Sequence, residues 1–301
     1  METPATGLLE VRELTVERPG TLDDRDIGLR KVSVEVNSGE IFVFAGEKGS
    51  GKSLLAQFIA GAAVPQMRVL SGSIRIEGRE ILGLNSRELR QLRTGAITLI
   101  SGDDNGQLNP DRTVRQWLQD CRRMSGVKPG RGDGKTGSEY FYTVGIIEPE
   151  RILPVPMGEL PTMVVKRLQV MKAVIAGSRL LVCDGATRGL DRIAEAQLIE
   201  LLSQIRDEFG MSILITSGSL RGVERYADRV AVFFEGGILE SGPTREILEN
   251  PRYAYTAEFR ACEPRLTDYP RELSTISREA AREAEDAIHQ SVSSLDEAET
   301  G

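Results

Sequence analysis

The chain has 301 residues, 40% of them hydrophobic and 28% charged, with a formal net charge of −7. Such proportions are ordinary for a globular protein, and the length allows one large or two modest domains with ample core. The acidic balance argues against wholesale nucleic-acid binding, and no run approaches the ~20 apolar residues of a membrane span.

In chain order, Leu8–Val16 alternates as a strand does, and Leu29–Val36 gives another. Asn37-Ser38-Gly39 turns the chain into a short apolar strand, Glu40–Ala45, and Leu54–Ala60 reads as a helix. Ser71–Gly78 is expected to be a strand ending in a turn. Asn85 or Ser86 can cap a helix running through Leu92, and Ala96–Ile100 is a further strand. From about Asp111 the pattern turns helical, and Trp117 falls with Leu118 and Cys121 on what reads as a core face. The Gly126–Gly137 stretch is too rich in glycine for regular structure. Arg179–Asp184 is a buried strand, Asp191–Phe209 a helix, and Met211–Thr216 and Arg229–Phe234 are strands again. Strands alternating with helices imply a mostly parallel sheet covered by helices. Cys121, Cys183 and Cys262 stand far apart and read as buried small hydrophobes of a reducing compartment.

Between the strand at Glu40–Ala45 and the helix at Leu54 lies Gly46-Glu47-Lys48-Gly49-Ser50-Gly51-Lys52-Ser53, which fits the P-loop pattern G-x-x-x-x-G-K-[ST]. Glycines let successive N–H groups point into one concavity, and the helix N-terminus adds partial positive charge. The candidate phosphate-binding residues are Gly46 through Leu54. Lys52 would reach the β- and γ-phosphates, and the Ser53 hydroxyl would hold Mg2+. Asp184, after four apolar residues, suits the strand-end carboxylate that completes a magnesium shell in P-loop enzymes.

These residues, with their flanks, resemble ATP-binding subunits of ABC transporters, in the oligopeptide, dipeptide and nickel importer branch. The resemblance runs from about Leu8 to Leu266. It is carried by Gly39–Glu47 before the P-loop, Leu108-Asn109-Pro110, Asp184 through Gly189-Leu190-Asp191, and Tyr226–Val232. Gly242–Pro251 followed by Tyr255-Thr256 completes it. The resemblance implies an α/β P-loop NTPase fold with a mixed sheet core, an antiparallel β subdomain and a helical subdomain near residues 111–176. It implies a nucleotide-binding domain over residues 1–266 and leaves an acidic tail over 267–301, partly helical or disordered. ATP and Mg2+ are the implied cofactors. The implied partners are a second ATP-binding subunit, two transmembrane permease subunits and an extracytoplasmic substrate-binding protein. The implied location is peripheral, on the cytoplasmic face of the cell membrane.

Several positions depart from the family pattern. Gly102 stands where the family has the Q-loop Gln, with Gln107 nearby in the wrong part of the loop. The signature Leu-Ser-Gly-Gly-Gln appears as Leu160-Pro161-Thr162-Met163-Val164, where Pro161 offers no N–H and the next residues carry side chains. Gly185 occupies the position of the catalytic Glu, and Ser217 that of the switch His. The one histidine of the chain, His289, lies in the tail. Arg18 or its neighbours fall where an aromatic stacks on adenine, and Arg188 reads as a solvated or interface arginine. The expectation is a degenerate nucleotide-binding subunit, with a non-transport ABC protein that acts as an ATP-gated scaffold as the alternative. An active ATPase with an unusual residue set is a third option. Ser277–Ile288 has high helix propensity but few large apolar residues, so a solvated helix is expected there.

Overall fold

A computed structural model describes residues 7–17, 27–62, 64, 66–102, 108–125, 137–220, 222, 224–262 and 275–300. Arg18, Gln107 and all but the last residue of the Gly126–Gly137 stretch lie outside these residues. In chain order the strands are β1 (Gly7–Glu17), β2 (Ile27–Asn37), β3 (Ile41–Gly46), β4 (Arg68–Ile76), β5 (Arg79–Glu80), β6 (Ile97–Ser101), β7 (Leu180–Asp184), β8 (Ser212–Ser217), β9 (Arg229–Phe234) and β10 (Gly237–Pro243). The helices are α1 (Lys52–Ile59), α2 (Ser86–Thr94), α3 (Val114–Ser125), α4 (Gly137–Thr143), α5 (Pro149–Ile152), α6 (Thr162–Ala176), α7 (Arg192–Phe209), α8 (Thr244–Glu249), α9 (Ala254–Ala261) and α10 (Arg278–Thr300). The chain forms two compact units, residues 1–82 with 216–301, and residues 83–215.

The first unit holds an antiparallel sheet of order β2-β1-β4-β5 and the run β10-β9-β3. β3 is parallel to β9, while β10 folds back antiparallel. All six residues of β3 are buried, as expected of a continuous apolar strand covered on both faces. On α1, Lys52, Leu55, Ala56 and Ile59 are buried, the spacing of one helical face. β4 begins at Arg68, three residues before the expected strand.

In the second unit, β8, β7 and β6 lie side by side in that order, with β6 and β7 parallel. Asn85, not Ser86, caps α2: its side chain accepts from the N–H groups of Arg87 and Glu88, and Glu88 returns a bond to the Asn85 N–H. Asp191 caps α7 by accepting from Ile193 and Ala194. Trp117, Leu118 and Cys121 are buried on α3, in the core as expected.

The C-terminal helix differs from the expectation of a solvated segment. Ala280, Ala284 and Ile288 are buried, four residues apart along one face of α10. That stripe lies on the first unit's own β9, β10 and α9. Gly237 has no side chain, and a Cβ there would come within 2.6 Å of the Ile288 Cδ1, so the helix packs closely on the strand at this glycine. Ser277 starts the helix by accepting from the Ala280 N–H, and is itself held by Glu258 of α9 through its N–H at 2.6 Å and its hydroxyl at 3.0 Å. Two alanines and one isoleucine carry the contact, so the sequence shows little hydrophobic pattern even though the face is buried.

The three cysteines are free thiols, but only Cys121 and Cys183 are buried; Cys262 is half-exposed at the end of α9, contrary to expectation. Burial pushes the thiols of Cys121 and Cys183 up to about 12. At pH 8 neither supplies thiolate, so a thiol-reactive dye should label one cysteine of the native chain, Cys262, and all three after denaturation. Rapid native labelling of Cys183 would contradict the burial of β7. For α10, Ile288→Ala should lower stability by about 2 kcal/mol and expose the helix to protease, as loss of a buried aliphatic side chain does. An unchanged melting temperature together with unchanged proteolysis would refute the docking.

Candidate functional site

The turn between β3 and α1 is built by close backbone approaches. At Gly46 (φ 151°) a Cβ would lie 2.5 Å from the Phe233 carbonyl oxygen and 2.9 Å from Ser50 Oγ, so no side chain fits as the strand leaves the sheet. The loop then closes on itself. The Ser50 N–H donates to the Glu47 carbonyl at 3.2 Å, and the Ser50 carbonyl accepts from the Gly236 N–H at 3.1 Å. Among the described residues, Ser50 Oγ is a buried hydroxyl without a hydrogen-bond partner. Lys52, only 8% exposed, turns its ammonium onto the Glu47 carbonyl at 2.7 Å. Ser53 and Leu54 are half-buried, while Glu47, Lys48 and Gly49 face solvent.

The strand feeding this loop is fixed at its start. Glu40 is buried and accepts from the Asn37 N–H at 2.6 Å and from Arg229 Nη1 at 3.3 Å. Asp228 accepts the Ile41 N–H at 2.8 Å, and the Arg229 guanidinium lies 4.8 Å from the centre of the Phe42 ring. These contacts give the Tyr226–Val232 block its physical role: it anchors the P-loop strand.

Beside the loop is a cavity of about 330 Å3, lined among others by Gly49, Gly51, Lys52, Ser53, Leu54 and Met67. One side carries the helix N-terminus and a lysine, which suit phosphate; Leu54 and Met67 make the other side apolar. That combination suits an anionic ligand with an apolar ring.

In the second unit, Asp184 ends β7 and is buried. Gly102 follows β6 and donates its N–H to the Asp184 carbonyl at 2.8 Å. Gly102 and Gly185 meet here. A Cβ on Gly102 would overlap the Gly185 carbonyl oxygen and stand 3.2 Å from the Arg188 Cβ. Gly185 has φ +62°, in the left-handed region, and a Cβ on it would lie 3.5 Å from an Arg188 guanidinium nitrogen. Pro161 is the N-cap of α6, and its carbonyl accepts from the Val164 and Val165 N–H groups. One turn on, Lys166 is fully buried and donates to the Ser101 carbonyl at 2.9 Å, a contact that no sequence signal announced. In the first unit the Ser217 hydroxyl donates to the Ser219 carbonyl at 2.5 Å and accepts from the Ser219 N–H, so it is engaged in a local turn.

A strand, a glycine-rich phosphate loop and a helix beside an antiparallel β subdomain, with a helical segment ahead of the Asp184 strand, define a P-loop nucleotide-binding domain of the ABC type. The ABC transporter family model matches residues 29–188, and the chain belongs to that family. It is 32% identical over 88% of its length to the peptidoglycan transport ATP-binding protein YejF of Agrobacterium fabrum strain C58, and spans about half, 48%, of that protein. It is 30% identical over 87% of its length to the oligopeptide transport ATP-binding protein OppD of Bacillus subtilis strain 168, covering 73% of it. Among solved structures, cbiO1 of Clostridium perfringens, part of the ABC transporter complex cbiONQ, matches with a TM-score of 0.64 and 23% identity over 81% of this chain and 91% of that one. No helix among the described residues is long and apolar enough to cross a membrane.

The nucleotide binding that the family implies fits the residues present: the glycine-lined loop, Lys52 at its end and the half-apolar cavity beside it are the parts a nucleoside polyphosphate needs. The contact between the two glycines generates a test. Gly102→Ala should destabilise the protein by about 1–3 kcal/mol, the usual cost of forcing extra volume against backbone. A chemical-denaturation midpoint equal to wild type would sink this account of the contact.

Proposed function

We propose that this chain is the ATP-binding subunit of a heteromeric ABC importer of the peptide or nickel type, and that it holds ATP without turning it over independently. The observation that carries the reading is the contrast between a complete P-loop cradle, Gly46 to Leu54, and the glycine at position 185 and serine at position 217. Neither of those two can act as a general base or polarise water. Ser53 and Asp184 are the groups proposed to serve Mg2+. Pro161, Thr162 and Met163 stand where a signature would offer its hydroxyl and glycine N–H groups to the partner's nucleotide. ATP is then a structural or regulatory ligand. The proposed partners are a second ATP-binding subunit, two permease subunits and an extracytoplasmic binding protein, with the chain peripheral at the cytoplasmic face. The names of the relatives support the importer reading; a non-transport scaffold role is its alternative, and co-purification of membrane subunits with the tagged chain separates the two.

The test is direct. The purified chain should bind ATP–Mg2+ in a calorimeter, and Lys52→Ala should weaken binding by roughly tenfold or more, as loss of a charge-assisted contact to phosphate does. Steady-state hydrolysis by the chain alone should stay well below about 1 per second, the low end of ordinary enzyme turnover. Turnover at or above that rate would overturn the proposal.

A further inference from the structure

Glu47, the second residue of the P-loop, is held at both ends. Its backbone carbonyl accepts the Lys52 ammonium at 2.7 Å and the Ser50 N–H at 3.2 Å. Its carboxylate Oε2 accepts the hydroxyl of Tyr255 at 3.3 Å, although 208 residues separate the two in sequence. Glu47 itself is exposed, so nothing packs its side chain into place. Tyr255 is the reverse, with no exposed surface. Its ring sits edge-on to Phe234 at 4.7 Å and stacks with Phe259 at 6.1 Å. A buried tyrosine has one polar atom to satisfy, and here that atom is spent on the P-loop. Burial and the neighbouring carboxylate push the Tyr255 hydroxyl well above its usual range, so it remains a donor at every physiological pH. Behind it, α9 is braced by α10 through Glu258 and Ser277.

We infer that Tyr255 is a positioning residue for the P-loop: through Glu47 it fixes the peptide whose carbonyl aims the Lys52 ammonium. Pinning the Glu47 carboxylate to a rigid aromatic cluster removes the rotation that would swing its carbonyl away. Lys52 is thereby presented to the loop's concavity before nucleotide arrives, and less ordering is left to do on binding. The inference rests on the nucleotide-binding reading above and adds to it a residue outside every P-loop motif.

The experiment is a double-mutant cycle on the full chain, read as ATP–Mg2+ affinity by calorimetry and as melting temperature without nucleotide. Tyr255→Phe keeps the ring in its cluster and removes only the hydroxyl. ATP affinity should fall roughly three- to tenfold, the range of a single hydrogen bond, with the melting temperature nearly unchanged. In a Glu47→Ala background the same substitution should have no further effect on affinity, because the link is already cut. If Tyr255→Phe leaves affinity as in wild type, or weakens it equally in both backgrounds, the inference is overturned. Should Tyr255→Phe melt far below wild type, Glu47→Ala alone decides: it leaves the aromatic cluster intact, and unchanged affinity in that variant overturns the link. A wild-type chain that binds no ATP would remove the nucleotide reading itself, an outcome visible before any variant is compared.

Discussion

Strand β3 approaches β9 so closely at Gly46 that no side chain fits between them, and the phosphate cradle depends on that approach. Gly46 pairs with Phe233 in the parallel register, and the Phe233 carbonyl fills the space a Cβ would need. A larger residue would push the strand end outward and turn the following N–H groups away from their common focus. The other end of β3 is tied as firmly. Glu40 and Asp228 hold the entering backbone, and Arg229 bridges to Glu40 across 189 residues of chain. Between these clamps lies a fully buried strand whose apolar side chains supply the driving force. Packing thus fixes the strand, the strand fixes the loop, and the loop orients its lysine.

This order explains what was legible beforehand. A phosphate loop must use glycine at set spacings, so its pattern is written in consecutive residues and can be read without a structure. Buried strands such as β3 and β7 announce themselves as unbroken apolar runs, and α7 was expected from Asp191, the residue that in the structure caps it. The C-terminal helix was expected but its docking was not, because its contact face is two alanines and a single isoleucine, Ala280, Ala284 and Ile288, which lay down hardly any hydrophobic signal. Lys166 was unreadable for a different reason. A lysine one turn into a helix is ordinarily solvated, and only the fold puts a carbonyl beside it. Tyr255 belonged to a recognised C-terminal block, but the block says nothing about which P-loop atom its hydroxyl meets.

The block from Tyr226 to Tyr255 gains a shared explanation in the first unit. Asp228 and Arg229 hold the start of β3, and Tyr255 reaches the loop at its end. Residues far down the chain therefore brace both ends of the nucleotide strand. A resemblance spread over more than 200 residues follows from that arrangement, because the P-loop peptide by itself would not hold its shape.

Gly102 is confined by a close backbone approach of the same kind. Position 102 has no side chain, and a Cβ there would overlap the Gly185 carbonyl oxygen, whereas a Cβ on Gly185 would meet the Arg188 side chain at an ordinary contact distance of 3.5 Å. Restoring a long amide at 102 displaces the Gly185 carbonyl. A carboxylate at 185 would have to adopt a left-handed backbone, although the Arg188 guanidinium, 3.5 Å from the place of its Cβ, is a favourable neighbour for its charge. On the proposed reading, backbone closes position 102 to a long side chain, whereas position 185 is limited by its own left-handed conformation.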